Sequence, residues 1–197
     1  MKYVSHLHTA AAPLVIATAL LAGCAAPAPE QPAAAEAQSA EAPYRPVASI
    51  REVMNSVIDP SIDIVWDSVK TVIDDGRMTD LAPTTDEEWA EVRRHAMIVS
   101  EAANLLMMPG RPVAPPGAPA RAPDVELAPE EVRALIDENR NAWNVFVQQL
   151  QNALDPALAA IDARDPEAML VAGEQIDVAC ESCHQVFWFP NAFASAP

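Results

Sequence analysis

Asp165-Pro-Glu-Ala-Met-Leu-Val-Ala-Gly173-Glu-Gln-Ile-Asp-Val-Ala-Cys180-Glu-Ser-Cys183-His184-Gln-Val-Phe187 is the stretch whose reading decides the fold. Asp165 is a helix cap, Pro166 suits the first turn, and Pro190 ends whatever precedes it. Between them Met169, Gly173, Ile176, Cys180, Cys183, His184 and Phe187 recur every three or four residues, the period of one helix face. The face ends in Cys-x-x-Cys-His. Two thiols three positions apart can each take one vinyl group of a haem while the adjacent imidazole reaches the iron, which is the attachment pattern of a c-type haem. A bare Cys-x-x-Cys is also compatible with a redox dithiol or half of a zinc site.

The N-terminus bears on those alternatives through its address. Lys2 precedes an apolar run from Thr9 to Leu21, which has the length of a signal-peptide core and is short for a membrane-spanning helix. The run ends in Leu21-Ala22-Gly23-Cys24, which resembles the lipobox of bacterial lipoproteins, so residues 1–23 are expected to be a signal peptide and Cys24 to carry lipid. The alternative is an ordinary signal peptide with Cys24 a bystander. Ala25 after the lipidated cysteine resembles the outer-membrane default and predicts a periplasm-facing protein held at that membrane. Of the three cysteines, this leaves Cys180 and Cys183 as the haem pair. Of four histidines, His6 and His8 depart with the signal peptide, leaving few ligands for a tetrahedral zinc site.

Residues 24–46 are mostly Ala, Pro, Glu and Gln with almost no large apolar side chain, and such a segment reads as a flexible tether. Residues 47–197 remain for one domain. The formal charge of −16 becomes −17 when Lys2 leaves with the acid-free segment 1–23. That charge argues against nucleic acid, limits membrane contact to the lipid, and suits either redox partner proteins with a basic docking face or simply the solubility of an exported domain.

Apolar spacing along the domain is helical and predicts an all-α fold. A first helix is expected from about Val47 to Ile73, with Asp59-Pro60 either kinking it or opening a second one. The next begins at Thr85 with Glu88 in a capping box and is stopped by Pro109-Gly110. Six prolines between Pro109 and Pro123 make residues 109–128 a long extended crossover. A third helix is expected from Pro129 past a kink at Pro156, and the fourth after Asp165. Four amphipathic helices with one long crossover, between the second and third, predict a four-helix bundle whose cofactor lies between facing helices.

These features together resemble the cytochrome c′ and cytochrome c-556 superfamily, bundle proteins with haem attached through a C-terminal Cys-x-x-Cys-His. The likeness spans about Ile50 to Phe189. It consists of Arg51 and Met54 early in the first helix, then Trp66, Trp89 and Trp143, an alanine-rich approach to Asp165, the motif itself, and Phe187. The resemblance implies one haem c on Cys180 and Cys183, with His184 as proximal iron ligand and the first helix facing the other side of the iron.

On that side Met54 is the candidate distal ligand. A thioether there makes a low-spin electron carrier, whereas an apolar group leaves a five-coordinate haem open to nitric oxide or carbon monoxide. The register also allows Ile50, Asn55 or Ile58 over the iron. His95 is the competitor for a bis-histidine site, though beside Arg93 and Arg94 it reads as a solvated boundary residue. Arg51 is a candidate partner for a haem propionate or a bound ligand, against the plainer reading of an exposed helix-start arginine. Gly173 makes room for a macrocycle or for a neighbouring helix. Phe187-Trp188-Phe189 is expected to cover a haem edge or the end of the bundle, with a contact surface for an electron-transfer partner as the sharper alternative. No nucleophile with a base and no nucleotide loop appears, so the expected role is one-electron transfer rather than enzymatic turnover, with homodimers a further expectation from the resemblance.

Overall fold

Ser49 opens the first helical run. Its hydroxyl accepts from the Glu52 N–H at 3.3 Å while the Glu52 carboxylate accepts from the Ser49 N–H at 2.8 Å, a reciprocal box that satisfies donors the helix start leaves free. The run comprises α1 (Ile50–Val53), a π turn (Met54–Ile58) and α2 (Asp59–Asp67). Pro60 lies in the first turn of α2, as the reading of a second helix expected, while the backbone stays helical through Ile58. The ring of a proline collides with the carbonyl four residues back, here Ser56, and the wider π turn around Ser56 relieves that collision. The computed structural model describes residues 44–190, which belong to one compact unit, so the expected signal peptide, Cys24 and most of the tether lie outside the described residues.

The first helix does not reach Ile73. It ends at Asp67, and residues read as its continuation form β1 (Lys70–Asp74), paired antiparallel with β2 (Arg77–Leu81) in the register Val72 to Thr79 and Ile73 to Met78. Asp75 and Gly76 both have positive φ, 46° and 76°, the geometry a two-residue hairpin turn requires. Asp-Gly is a strong hairpin signal, and the β-branched Thr71, Val72 and Ile73 beside it favour strand over helix. Every residue of both strands is exposed, so the hairpin stands outside the core.

Helix α3 (Asp86–Leu106) begins with the expected Thr85–Glu88 box. After the proline-rich segment come α4 (Pro129–Glu138), α5 (Arg140–Ala163) and α6 (Pro166–Phe187). The third run therefore breaks at Asn139 and not at Pro156. The Asn139 backbone leaves helical geometry, and its side-chain amide joins its own backbone N–H in donating to the Leu135 carbonyl, each at 3.0 Å. Pro156 stays inside α5 because it and Asn152, whose carbonyl it leaves free, both face water. Arg164 closes α5 with positive φ, and the Asp165 carboxylate accepts from the Ala168 N–H at 3.0 Å to open α6 as expected.

The described residues are thus mostly helical, with a single two-stranded sheet. Helix α5 packs on α6 and α3, and α2 packs on α3. Ala96, Ala103 and Ala157 are fully buried, small enough to bring these helices close, and Val99, Ile136, Leu154 and Ile176 fill the space between them. Each such branched side chain contributes about 1.5–3 kcal/mol by leaving water.

The proline-rich crossover is firmly anchored. Pro112 and Val113 offer carbonyls to the free N–H groups of Ile50 and Arg51 at 2.8 and 2.9 Å, capping the start of α1. Arg111, itself buried, donates to the carbonyls of Leu105 at 2.7 Å and of Ala48, and Arg133 of α4 donates to its backbone carbonyl at 3.0 Å. The crossover is thereby laid across the end of the molecule where α6 carries its cysteines.

Candidate functional site

Cys180, Cys183 and His184 occupy the last two turns of α6, and the helical period turns them toward α1, α3 and α5. They line an apolar cavity with Ile50, Met54, Leu106 and an aromatic wall of Trp143, Phe146 and Phe187. The wall is rigid. Phe187 meets Trp143 edge-on at 5.1 Å and Phe146 at 5.9 Å, contacts that contribute about 1 kcal/mol each beyond burial. The Trp143 indole donates to the Leu106 carbonyl at 3.0 Å.

A second, polar cavity of about 270 Å³ adjoins the first, and Met54, His184 and Trp188 border both. Its walls carry Arg51, Asn55, Asp59, Arg121 and Glu126. Arg51 is buried, contrary to the plain reading of an exposed helix-start arginine. It donates to the Pro119 carbonyl at 2.8 Å and to Glu126 at 3.1 Å, and it lies over the Trp188 ring at 5.7 Å. Its Nε–H, buried as well, has no protein partner. Arg121 reaches the Asn55 side-chain oxygen at 3.3 Å.

Glu126 holds this end together. Its carboxylate accepts from the backbone N–H groups of Arg121 and Ala122, from the Trp188 indole at 2.6 Å, and from Arg51. Burial raises its pKa, but the two amides, the indole and the Arg51 charge outweigh it and hold the carboxyl below its ordinary value. Asp59 shows the opposite balance: crowding by protein raises its pKa, and the nearby His184 and Arg121 only partly offset that.

Both thiols are pushed up to about 12 by burial, with the acids Asp177, Asp59 and Glu181 adding to the effect at Cys180. A dithiol redox centre depends on a thiolate formed near neutral pH, so this environment disfavours that alternative. Burial also lowers the His184 pKa, keeping the imidazole neutral, the form that ligates metal.

The structure brings together Arg51, Met54, Cys180, Cys183 and His184 around the two cavities, and of their competitors it leaves Ile58 and His95 outside both. Ile58 is core and Asn55 faces only the polar cavity; Ile50 faces only the apolar one, so Met54 alone of the four register candidates borders both. His95 borders neither. It lies on α3, largely buried rather than solvated, with Nε2 3.1 Å from Glu91. Gly173 serves the neighbouring helix: a Cβ there sits 3.3 Å from the Trp66 ring, whose indole donates to the Gly173 carbonyl at 3.2 Å. Of the aromatic tail, Phe187 is core and Trp188 and Phe189 are half-buried, Phe189 edge-on to His184 at 6.1 Å, so the tail closes the end of the helices and is not an open aromatic patch.

Arg121 and Glu126 were not singled out by the sequence, and Asp59 was read only as a helix-start residue. Arg121 and Glu126 lie in the crossover, whose composition signals only extended chain, and Asp59 and Met54 face one cavity only because of the π turn. Residues five apart lie about 140° apart on an α-helix but share a side on the wider π turn, where the Asp59 N–H donates to the Met54 carbonyl. No protein family matches the chain, and neither a curated protein nor a solved structure matches it.

Proposed function

We propose that this protein is a periplasm-facing monohaem c-type cytochrome that carries single electrons, built on a four-helix bundle of the cytochrome c′ and c-556 kind and tethered by lipid on Cys24. The observation that carries this reading is the convergence of Met54, Cys180, Cys183 and His184 on one apolar cavity that shares Met54, His184 and Trp188 with a neighbouring one bearing Arg51. A haem has that same division, with apolar vinyl edges and charged propionates. Cys180 and Cys183 would hold it through thioethers, His184 and Met54 would ligate the iron, and Arg51, with its free Nε–H, would receive a propionate. Haem supplies a one-electron iron couple when bound.

The protein's own contribution is positioning and exclusion of water. The aromatic wall of Trp143, Phe146 and Phe187 keeps the thiol end dry, and a dry surrounding with a thioether ligand favours the reduced iron. Glu126 fixes the Arg51 guanidinium so that it need not be ordered when an anion arrives. The apolar cavity encloses about 40 Å³, so seating a macrocycle moves the half-buried side chains at its mouth, Met54 and Trp188.

A second reading, a five-coordinate protein that binds nitric oxide or carbon monoxide, is favoured by Ile50, which lines the same apolar cavity. One experiment separates the two. The chain is expressed with a cytochrome maturation system, and oxidised and reduced spectra are recorded with and without carbon monoxide. Low-spin spectra insensitive to carbon monoxide support the electron carrier; high-spin spectra that shift with the gas replace it by the gas binder; absence of covalent haem removes both.

A further inference from the structure

A groove of about 330 Å³ runs between α2 and α6 on the flank of the molecule, apart from the two cavities described above. Its floor is apolar, made of Val65, Trp66, Met169 and the Gly173 backbone, and Glu174 and Asp177 stand on its α6 rim. The apolar character continues outside the groove: Leu170, Val171 and Val178 are 47, 57 and 64 % exposed on the same helix. Exposed apolar groups collected beside a groove mark a contact surface more than a solvated helix face.

The charge around it says what kind of surface it meets. Neither α2 nor α6 contains a lysine or arginine, whereas exposed positions of α6 carry Glu167, Glu174, Asp177 and Glu181. Among the described residues none of these four makes an ion pair. Free acids around an apolar centre repel a second copy of the same face and an anionic lipid surface alike. They complement a partner that rings its own apolar centre with lysine or arginine. Asp177 lies one turn before Cys180 and the charge of the one reaches the thiol of the other, so the groove abuts the segment of α6 that carries the attachment motif.

We infer that the α2–α6 groove, with Leu170, Glu174 and Asp177 at its lip, is the docking face for a redox protein presenting basic side chains around an apolar patch. The inference rests on the electron-transfer reading, and gives it a face and a partner chemistry.

The test uses the full chain, matured with haem and purified in detergent, and a lysine-rimmed mitochondrial-type cytochrome c as probe. Carbodiimide at low salt joins carboxylates to lysines in contact, and mass spectrometry of the joined peptides maps them. Cross-links concentrated on Glu174, Asp177 and Glu181 are expected. The double variant Glu174→Gln, Asp177→Asn should bind the probe about tenfold more weakly, and Leu170→Ser should also weaken it. The equal charge change Glu130→Gln, Glu138→Gln on α4 should alter binding by less than about twofold. Cross-links spread over other acids, equal weakening by the α4 control, or no binding of the probe overturns the proposal. Haem content of the same sample, read from its alkaline pyridine spectrum, separates a failure of the cytochrome reading from a failure of the docking face.

Discussion

The Trp188 indole donates to the Glu126 carboxylate at 2.6 Å, joining the end of α6 to the proline-rich crossover. The same carboxylate pairs with Arg51 at 3.1 Å, and both side chains of the pair are almost fully buried, at 8 and 3 % exposure. Three distant segments therefore meet on one carboxylate.

Removing that carboxylate strands a buried guanidinium. Glu126→Leu should lower stability by about 3–5 kcal/mol, and Glu126→Gln, which retains hydrogen bonding to Trp188, by less. Urea unfolding followed by circular dichroism measures both. The folded-state pKa of Glu126 lies below its ordinary 4.5, so its contribution is fully present above pH 4.5 and is lost as pH falls through the folded value. The wild type should thus lose stability in that acid range, and Glu126→Gln should lose less of it there.

Met54→Ala tests the iron coordination proposed above. In the matured protein it should convert a low-spin spectrum to a high-spin one that binds carbon monoxide, while haem content stays the same because Cys180 and Cys183 are intact. An unchanged spectrum would remove Met54 as ligand. Ile50→Ala, at a position that borders only the apolar cavity, should leave the spin state as it is.

Gly173 faces Trp66 at a distance that leaves little room for a side chain. Gly173→Ala gains up to about 1 kcal/mol of helix propensity but needs the Trp66 ring to give way slightly, so the net change should be small. Gly173→Val should destabilise by about 1–3 kcal/mol through overpacking, with a shift in tryptophan fluorescence reporting the displaced indole. Equal stability of the two variants would contradict the close approach.

The hairpin is expected to be the least stable part of the domain, because every residue of its strands lies outside the core. Amide exchange in Lys70–Leu81 should be faster than in α3 or α5 by several orders of magnitude. Gly76→Val strains a residue at φ 76° and should abolish the remaining hairpin protection while leaving the thermal midpoint of the core within a few degrees.

The local signals in the chain were sufficient for its main helices but not for the hairpin, the π turn or the break at Asn139. Thr85 with Glu88, Asp165 with Pro166, and the apolar stripes of α3, α5 and α6 specify helices because caps and period depend on neighbours three or four residues away. The Asp75-Gly76 turn signal was present, but Val69, Val72 and the preceding stripe read equally well as helix. The Asn139 break was hidden because one residue outside helical geometry leaves the apolar period on either side readable as a single stripe.

By itself, then, the sequence determined that the chain is mostly helical and that Cys180, Cys183 and His184 share a helix face, since both follow from short-range spacing. Only the tertiary structure decided that Met54 meets them, that Arg51 is buried, and that Arg121 and Glu126 from the proline-rich crossover complete the polar wall. Those relationships join residues more than 60 positions apart, and they depend on a π turn and on where an irregular segment is anchored. Neither feature leaves a periodic trace in the sequence, because each is set by which backbone and side-chain groups still need partners once the helices have packed.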